Sequence, residues 1–195
     1  MHSSDDNGKK MSQKVVFLDR DGVINKDSPA YIKSWAEFEF LPGSLKAIRD
    51  LTLSGFEIII ITNQSAINRN IITKDQLHTM HVLLHKAVVS SGGKIRDIFF
   101  CPHTPEERCA CRKPKPGLIH RARHKYQIDL AHSTMVGDSA KDIECAKRAG
   151  CKYAILVKTG NAMEAENILT AKAIYPDFVA RDLLDAADWT MRSLS

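Results

Sequence analysis

Short, almost uninterrupted apolar runs alternate along this chain with longer stretches whose apolar positions recur every three or four residues. The first kind is typified by Val15-Val16-Phe17-Leu18 and by Ile58-Ile59-Ile60-Ile61; such runs predict buried strands. Strands are expected at 14–19, 56–62, 95–101, 134–137 and 153–157, with a short one at 178–180. Helices are expected at 44–53, 73–90, 117–126, 140–148, 162–171 and 181–194. Within 73–90, Leu77, Met80, Leu84 and Val88 fall at helical spacing and predict a core stripe. Gly92-Gly93 and Gly150 mark helix ends. Regular strand and helix alternation predicts an α/β fold with a doubly wound parallel sheet. No insertion of domain size follows the first strand or 56–62, so 13–195 is expected to form one domain without a large cap. Loops 25–40 and 101–111 would then cover the active end. No internal repeat is present.

Candidate chemistry sits where the apolar runs stop. Asp19 and Asp21 follow the first run and precede Gly22. In an extended segment residues two apart face the same side, so both carboxylates can address one centre, and glycine allows the sharp turn that follows. One can serve as nucleophile or metal ligand, the other as general acid/base. After the second run comes Thr62-Asn63-Gln64-Ser65, hydroxyl and amide groups suited to phosphate oxygens. Downstream, Arg112-Lys113-Pro114-Lys115-Pro116-Gly117 holds cations on a chain stiffened by proline. The segment 134–142 ends a short strand in Gly137-Asp138 and adds Asp142. Carboxylates of this kind suit Mg²⁺, which keeps positions for water and phosphate. Cys101, His103, Cys109 and Cys111 supply a Cys₃His set for tetrahedral Zn²⁺ within one short polar loop, with a disulfide or free thiols as the alternatives. Cys111 directly precedes Arg112-Lys113, so a metal there would also fix the cations.

Taken in order, DRDG, TNQS, RKPKPG and GDxxxD resemble the haloacid dehalogenase superfamily of aspartate-nucleophile phosphatases, over roughly 14–157. The resemblance implies that Asp19 attacks phosphorus, and that Asp21 protonates the leaving group and then activates water. It implies that Thr62 and Lys113 hold the phosphoryl oxygens, with Lys115 a second candidate for the cationic role. By the same resemblance Mg²⁺ sits between Asp19, the main-chain carbonyl of Asp21, and Asp138. CPH and CxCRKPxPG, with DRDGVIN and TNQS, are similar to the branch of heptose bisphosphate and histidinol-phosphate phosphatases, with a structural Zn²⁺. Tyr31-Ile32 and Phe38-Glu39-Phe40-Leu41-Pro42-Gly43 are similar to its heptose members, which remove the 7-phosphate of a sugar bisphosphate. Substrate contacts would then fall to Asp27, Ser28, Pro29, Ala30, Asn63, Gln64, Ser65 and Arg112. The chain departs from the pattern at Ala66, at Asn68-Arg69-Asn70 and at Ser139.

Length and charge add bounds. The chain has 195 residues and a formal net charge of +5, which suits one domain and an anionic partner. A small phosphosugar is the expected partner; a nucleic-acid-binding zinc protein acting on terminal phosphates is the reading from another class. Arg121, Arg123, His124 and Lys125 lack interleaved aromatics and are expected to form a solvated face rather than a nucleic-acid surface. His78, His81 and His85 are expected as exposed or half-buried helix histidines, and Cys145 and Cys151 as buried small hydrophobes. No stretch is long and apolar enough to span a membrane. Residues 1–12 are polar, without the apolar core of a signal peptide, and are expected to be a disordered lead-in to a cytoplasmic protein. A monomer is expected, since no exposed apolar stripe stands out.

Overall fold

In the computed structural model, which describes residues 13–160 and 162–194, six parallel strands form one sheet. The expectation for residues 1–12 lies outside the described residues. The strands are β1 (Val15–Leu18), β2 (Glu57–Asn63), β3 (Asp97–Cys101), β4 (Ser133–Gly137), β5 (Tyr153–Val157) and β6 (Phe178–Ala180). The helices are α1 (Ser44–Leu53), α2 (Lys74–Ser90), α3 (Gly117–Tyr126), α4 (Ala140–Ala149), α5 (Ala162–Ala171) and α6 (Leu183–Ser193). The expected elements are all present, with ends that coincide or shift by at most two residues.

Strand order is β3-β2-β1-β4-β5-β6. The chain therefore winds outward in one direction from β1 to β3, then returns past β1 and winds the other way. Side chains alternate across each strand. Val16, Leu18, Ile58 and Ile60 join the core beneath α1, α2 and α6, with Ile48, Leu51, Leu77, Met80, Leu84, Leu183 and Ala186. Val15, Phe17, Ile59 and Ile61 join the opposite core with Leu118, Ile119, Ile143, Ala146 and Leu169 of α3, α4 and α5. Burial on both faces explains why β1 and the centre of β2 read as continuous apolar runs.

The switch in winding lies between β1 and β4, whose registers pair Leu18 with Val136. Neighbouring loops must diverge there, opening a crevice at the carboxyl ends of the strands. Asp19 and Asp138 are the residues that emerge at its floor. No domain-sized insertion covers it among the described residues. Loop 25–40 instead folds back on itself, closed at its neck by Lys26 N donating to Glu39 O at 2.8 Å and Leu41 N to Ile24 O at 3.0 Å. Its interior is filled by Trp35, Phe38 and Phe40; the first two stack at 4.8 Å and Phe38 meets Phe40 edge-on at 5.2 Å.

Candidate active site

A cleft of about 320 Å³ occupies the crevice, and its lining includes Asp19, Asp21, Thr62, Arg112, Lys113 and Asp138. Asp19 leaves β1 with its main-chain N–H donating to Val136 O at 3.0 Å, so the sheet itself fixes where the side chain starts. Lys113, only 2 % exposed, places Nζ 2.9 Å from Asp19 Oδ1 and 2.5 Å from Asp142 Oδ1. Asp19, Asp138 and Asp142 each offer an oxygen within 4.8 Å of the others. Burial pushes the Asp19 carboxyl up to about 8; Lys113 opposes this, while Asp142 and Asp138 add to it. Three carboxylates offer oxygens this close to one another beside the buried Lys113 ammonium, an environment that suits a divalent cation. The oxygen-only donor set fits Mg²⁺.

Backbone close approach makes room for these acids. A Cβ on Gly22, whose φ is +80°, would lie 2.2 Å from Asp138 Oδ2, and one on Gly160 would lie 2.0 Å from the same atom. Only glycine is compatible with either position. Gly137 plays the same part for Asp142, whose Cβ would be 2.1 Å from an added methyl.

Asp142 is the residue whose role the sequence reading missed. GDxxxD marks it, but its function depends on one local partner and one distant one. Its Oδ2 accepts from Ser139 N at 3.1 Å and Ser139 Oγ at 2.7 Å, closing the capping box of α4. Its Oδ1 holds Lys113. The departure at Ser139 is thus the N-cap of the helix that carries the lysine's anchor.

Asp21 stands in a second network. Arg20 donates to it through Nε at 3.0 Å and Nη2 at 2.9 Å, Asn25 Nδ2 donates at 2.9 Å and Gln64 Nε2 at 2.8 Å. Burial alone would raise the Asp21 carboxyl. Arg20 and the hydrogen bonds from Asn25 and Gln64 outweigh it and hold the group below the usual carboxylate range. Gln64 also donates to Thr62 Oγ1 at 2.9 Å and accepts from Arg20 at 3.1 Å, so it ties the second aspartate to the threonine.

The residues expected to touch substrate divide into two groups. Asp27, Ser28, Pro29, Ser65 and Arg112 line the cleft, whereas Ala30 is not part of its wall. Asn63 and Gln64 also face it, but their amides are engaged. Asn63 Oδ1 accepts from Lys113 N at 3.1 Å and its Nδ2 donates to Lys113 O at 3.3 Å, a reciprocal clasp on the lysine's main chain.

Four metal-ligand side chains converge beside the cleft. Cys101 Sγ lies 3.4 Å from His103 Nδ1 and 3.6 Å from Cys109 Sγ; Cys111 Sγ lies 3.3, 3.3 and 3.5 Å from Cys101, His103 and Cys109. A tetrahedron with metal–sulfur bonds of about 2.3 Å has edges of about 3.8 Å, close to these separations. The cluster can hold a metal, and no disulfide joins these cysteines. It is braced from three sides. Arg112 Nη1 donates to His103 O at 2.9 Å, Lys115 Nζ to the carbonyls of Arg108 and Cys109 at 2.8 Å, and Asn68 Nδ2 to Glu107 at 2.9 Å. The departure at Asn68 therefore joins the TNQS turn to this loop.

Two other expectations are revised. His78 and His85 are exposed as expected, but His81 is buried against Arg20, because α2 turns that position under loop 25–40. Cys145 is buried as expected, while Cys151 is only half-buried because it follows the exposed helix stop Gly150. Arg121, Arg123, His124 and Lys125 lie on an exposed face of α3. No described helix is long and apolar enough to cross a membrane.

Comparison with known proteins places this geometry. Residues 110–186 match the HAD-hydrolase-like family. A D-glycero-β-D-manno-heptose-1,7-bisphosphate 7-phosphatase of Bordetella bronchiseptica is 45% identical over 76% of this chain and 82% of its own. This chain is a haloacid dehalogenase-like phosphatase. A D-glycero-α-D-manno-heptose-1,7-bisphosphate 7-phosphatase of Photorhabdus laumondii is 42% identical over 80% of this phosphatase and 93% of its own length. The crystal structure of D,D-heptose 1,7-bisphosphate phosphatase from B. bronchiseptica, complexed with magnesium and phosphate, superposes with a TM-score of 0.86. That pair is 39% identical, over 93% of this phosphatase and 99% of the other chain.

Proposed function

We propose that the phosphatase hydrolyses the 7-phosphate of a D-glycero-D-manno-heptose 1,7-bisphosphate through an aspartyl-phosphate on Asp19. The observation that carries the chemistry is the Lys113 ammonium shared between Asp19 and Asp142 at the floor of the cleft. It keeps a cation against the nucleophile, where the charge of a transferring phosphoryl group must be balanced. The substrate is supported by relatives named for it that align over most of both chains.

Asp19 Oδ attacks phosphorus in line, forming the Asp19–phosphorus bond as the bond to the sugar oxygen breaks. Lys113 Nζ and Thr62 Oγ1 hold the equatorial oxygens. Asp21 supplies a proton to the departing alkoxide. Water then attacks the aspartyl phosphate, Asp21 takes its proton, and phosphate leaves Asp19 free. In the resting site the Arg20 charge and the hydrogen bonds from Arg20, Asn25 and Gln64 favour the Asp21 carboxylate; a phosphate dianion bound beside it adds like charge and favours the protonated form that donation requires. Mg²⁺, when held by Asp19, Asp138 and the Asp21 carbonyl, neutralises phosphate charge and aligns it for attack. Arg112 and the 27–29 rim orient the sugar. Zn²⁺ on Cys101, His103, Cys109 and Cys111 fixes the loop that leads into Arg112 and Lys113.

The test is phosphate release with Mg²⁺ from both heptose 1,7-bisphosphate anomers and from histidinol phosphate, beside Asp19→Asn. The expected result is preference for a heptose anomer, with turnover falling at least about 1,000-fold in the variant. Preference for histidinol phosphate would replace the substrate and leave the mechanism. Substantial turnover by Asp19→Asn would overturn the aspartyl-phosphate.

A further inference from the structure

Arg20 is 1 % exposed. A guanidinium this deeply buried needs an acceptor for each edge, since an unmatched N–H in a dry site is costly. Its Nε and Nη2 face Asp21 and Gln64. The Phe38 ring lies 5.7 Å from its carbon. Nη1 faces α2, where His81 Nε2 lies 3.5 Å away.

Guanidinium only donates, so Nε2 must present its lone pair and the ring must be neutral, with its proton on Nδ1. Burial, with Arg20 adding, pushes the His81 imidazole down to about 3, consistent with that state. The ring is fixed in place. Its edge packs on Phe100, with centroids 5.9 Å apart at 64°. His78 and His85, at i−3 and i+4 on α2, are exposed; His81 alone of the three is turned inward.

We propose that His81 is a positioning residue for the acid/base Asp21: by accepting from Nη1 it sets the rotation at which Arg20 presents Nε and Nη2 to the Asp21 carboxylate. The proposal rests on the reading of Asp21 as general acid. Without the acceptor, Nη1 swings toward another partner and the carboxylate shifts with the guanidinium it is bound to. Proton transfer in the transition state is sensitive to displacements of that size.

Leaving groups separate this role from a merely structural one. A sugar alkoxide needs the proton as its bond to phosphorus breaks, whereas p-nitrophenolate departs as a stable anion. kcat/KM reflects steps only up to the first irreversible one, here formation of the aspartyl phosphate. The experiment compares kcat/KM, with Mg²⁺, for the alkyl phosphomonoester the wild type turns over best and for p-nitrophenyl phosphate. The proteins are wild type, His81→Phe, His81→Leu, His81→Gln and Asp21→Asn, with a melting temperature for each.

Both acceptor-less variants are expected to lose about 10-fold or more on the alkyl phosphate and less than about 3-fold on the aryl phosphate. His81→Gln, whose amide oxygen can accept, is expected to recover most of the loss. Equal losses on the two substrates, or no recovery with Gln, would overturn the proposal, since a loosened fold affects both and is indifferent to the acceptor. Asp21→Asn keeps the two readings apart. If it too loses equally on both substrates, the general-acid reading fails and the positioning role with it. If it is selective and the His81 variants are not, the positioning role alone is wrong.

Discussion

Asp19, Asp138 and Asp142 share one small volume with the Lys113 ammonium, and that crowding governs how each behaves. Because burial and the two neighbouring acids push the Asp19 carboxyl up, its charged form is a strain on the metal-free protein. Asp19→Asn is therefore expected to leave the melting temperature in EDTA unchanged or higher, and to lose the gain that wild type shows on adding Mg²⁺; thermal denaturation with and without Mg²⁺ checks both. His81 makes stability depend on pH because its value differs between the folded and unfolded chains. Its folded-state value is about 3, against about 6.5 in an unfolded chain. Between those values the unfolded chain binds a proton that the folded chain excludes, so stability falls as pH drops through that window. The loss should reach about 2 kcal/mol by pH 5. His81→Gln should lack it, which denaturation at pH 7 and pH 5 would show. The carboxylates and cations of the site were legible as residue types in short motifs. Their partners were not: nothing near position 81 specifies Arg20, and nothing near 63 specifies the main chain of Lys113.

At the scale of elements, catalysis here depends on segments that look merely structural. The loop between β3 and α3 has few apolar side chains to shape it; three bracing side chains, Arg112, Lys115 and Asn68, hold it, and it carries four side chains that can ligate a metal. Gly117 lets α3 begin directly against it: a Cβ there would lie 2.3 Å from Ala110 O. Metal analysis should find about one zinc per chain, and Cys109→Ala should lose it. That variant should also be cut more readily within 102–110 by limited proteolysis and turn over more slowly, because Arg112 and Lys113 follow Cys111 directly. A zinc-free protein of full activity would contradict this account. The α4 capping box shows how one local motif can carry two duties. Ser139 and Asp142 are legible from spacing as a helix start, yet the second oxygen of Asp142 is committed to a lysine 29 positions earlier in sequence.

For the whole molecule, strand order decides where chemistry can occur. β1 and β4 lie side by side although 114 residues separate Leu18 from Ser133, and this brings Asp19 to Asp138. Large apolar side chains left exposed belong to several elements, among them Leu53 of α1, Val82 and Val89 of α2, Met163 and Ile168 of α5 and Val179 of β6. Light scattering is accordingly expected to give the mass of a single chain, 21.8 kDa; a dimer mass would place an interface on one of these elements. The sequence by itself determined the elements, their alternation and the kinds of donor available, because hydrophobic periodicity, caps and glycine punctuation act within a few residues. Only the tertiary structure decided which donors meet. The clasp of Asn63 on Lys113, the hold of Asp142 on that same lysine, and the seating of His81 behind Arg20 join residues 29 to 61 positions apart. Such pairings follow from the way the sheet stacks its helices, and no local pattern encodes them.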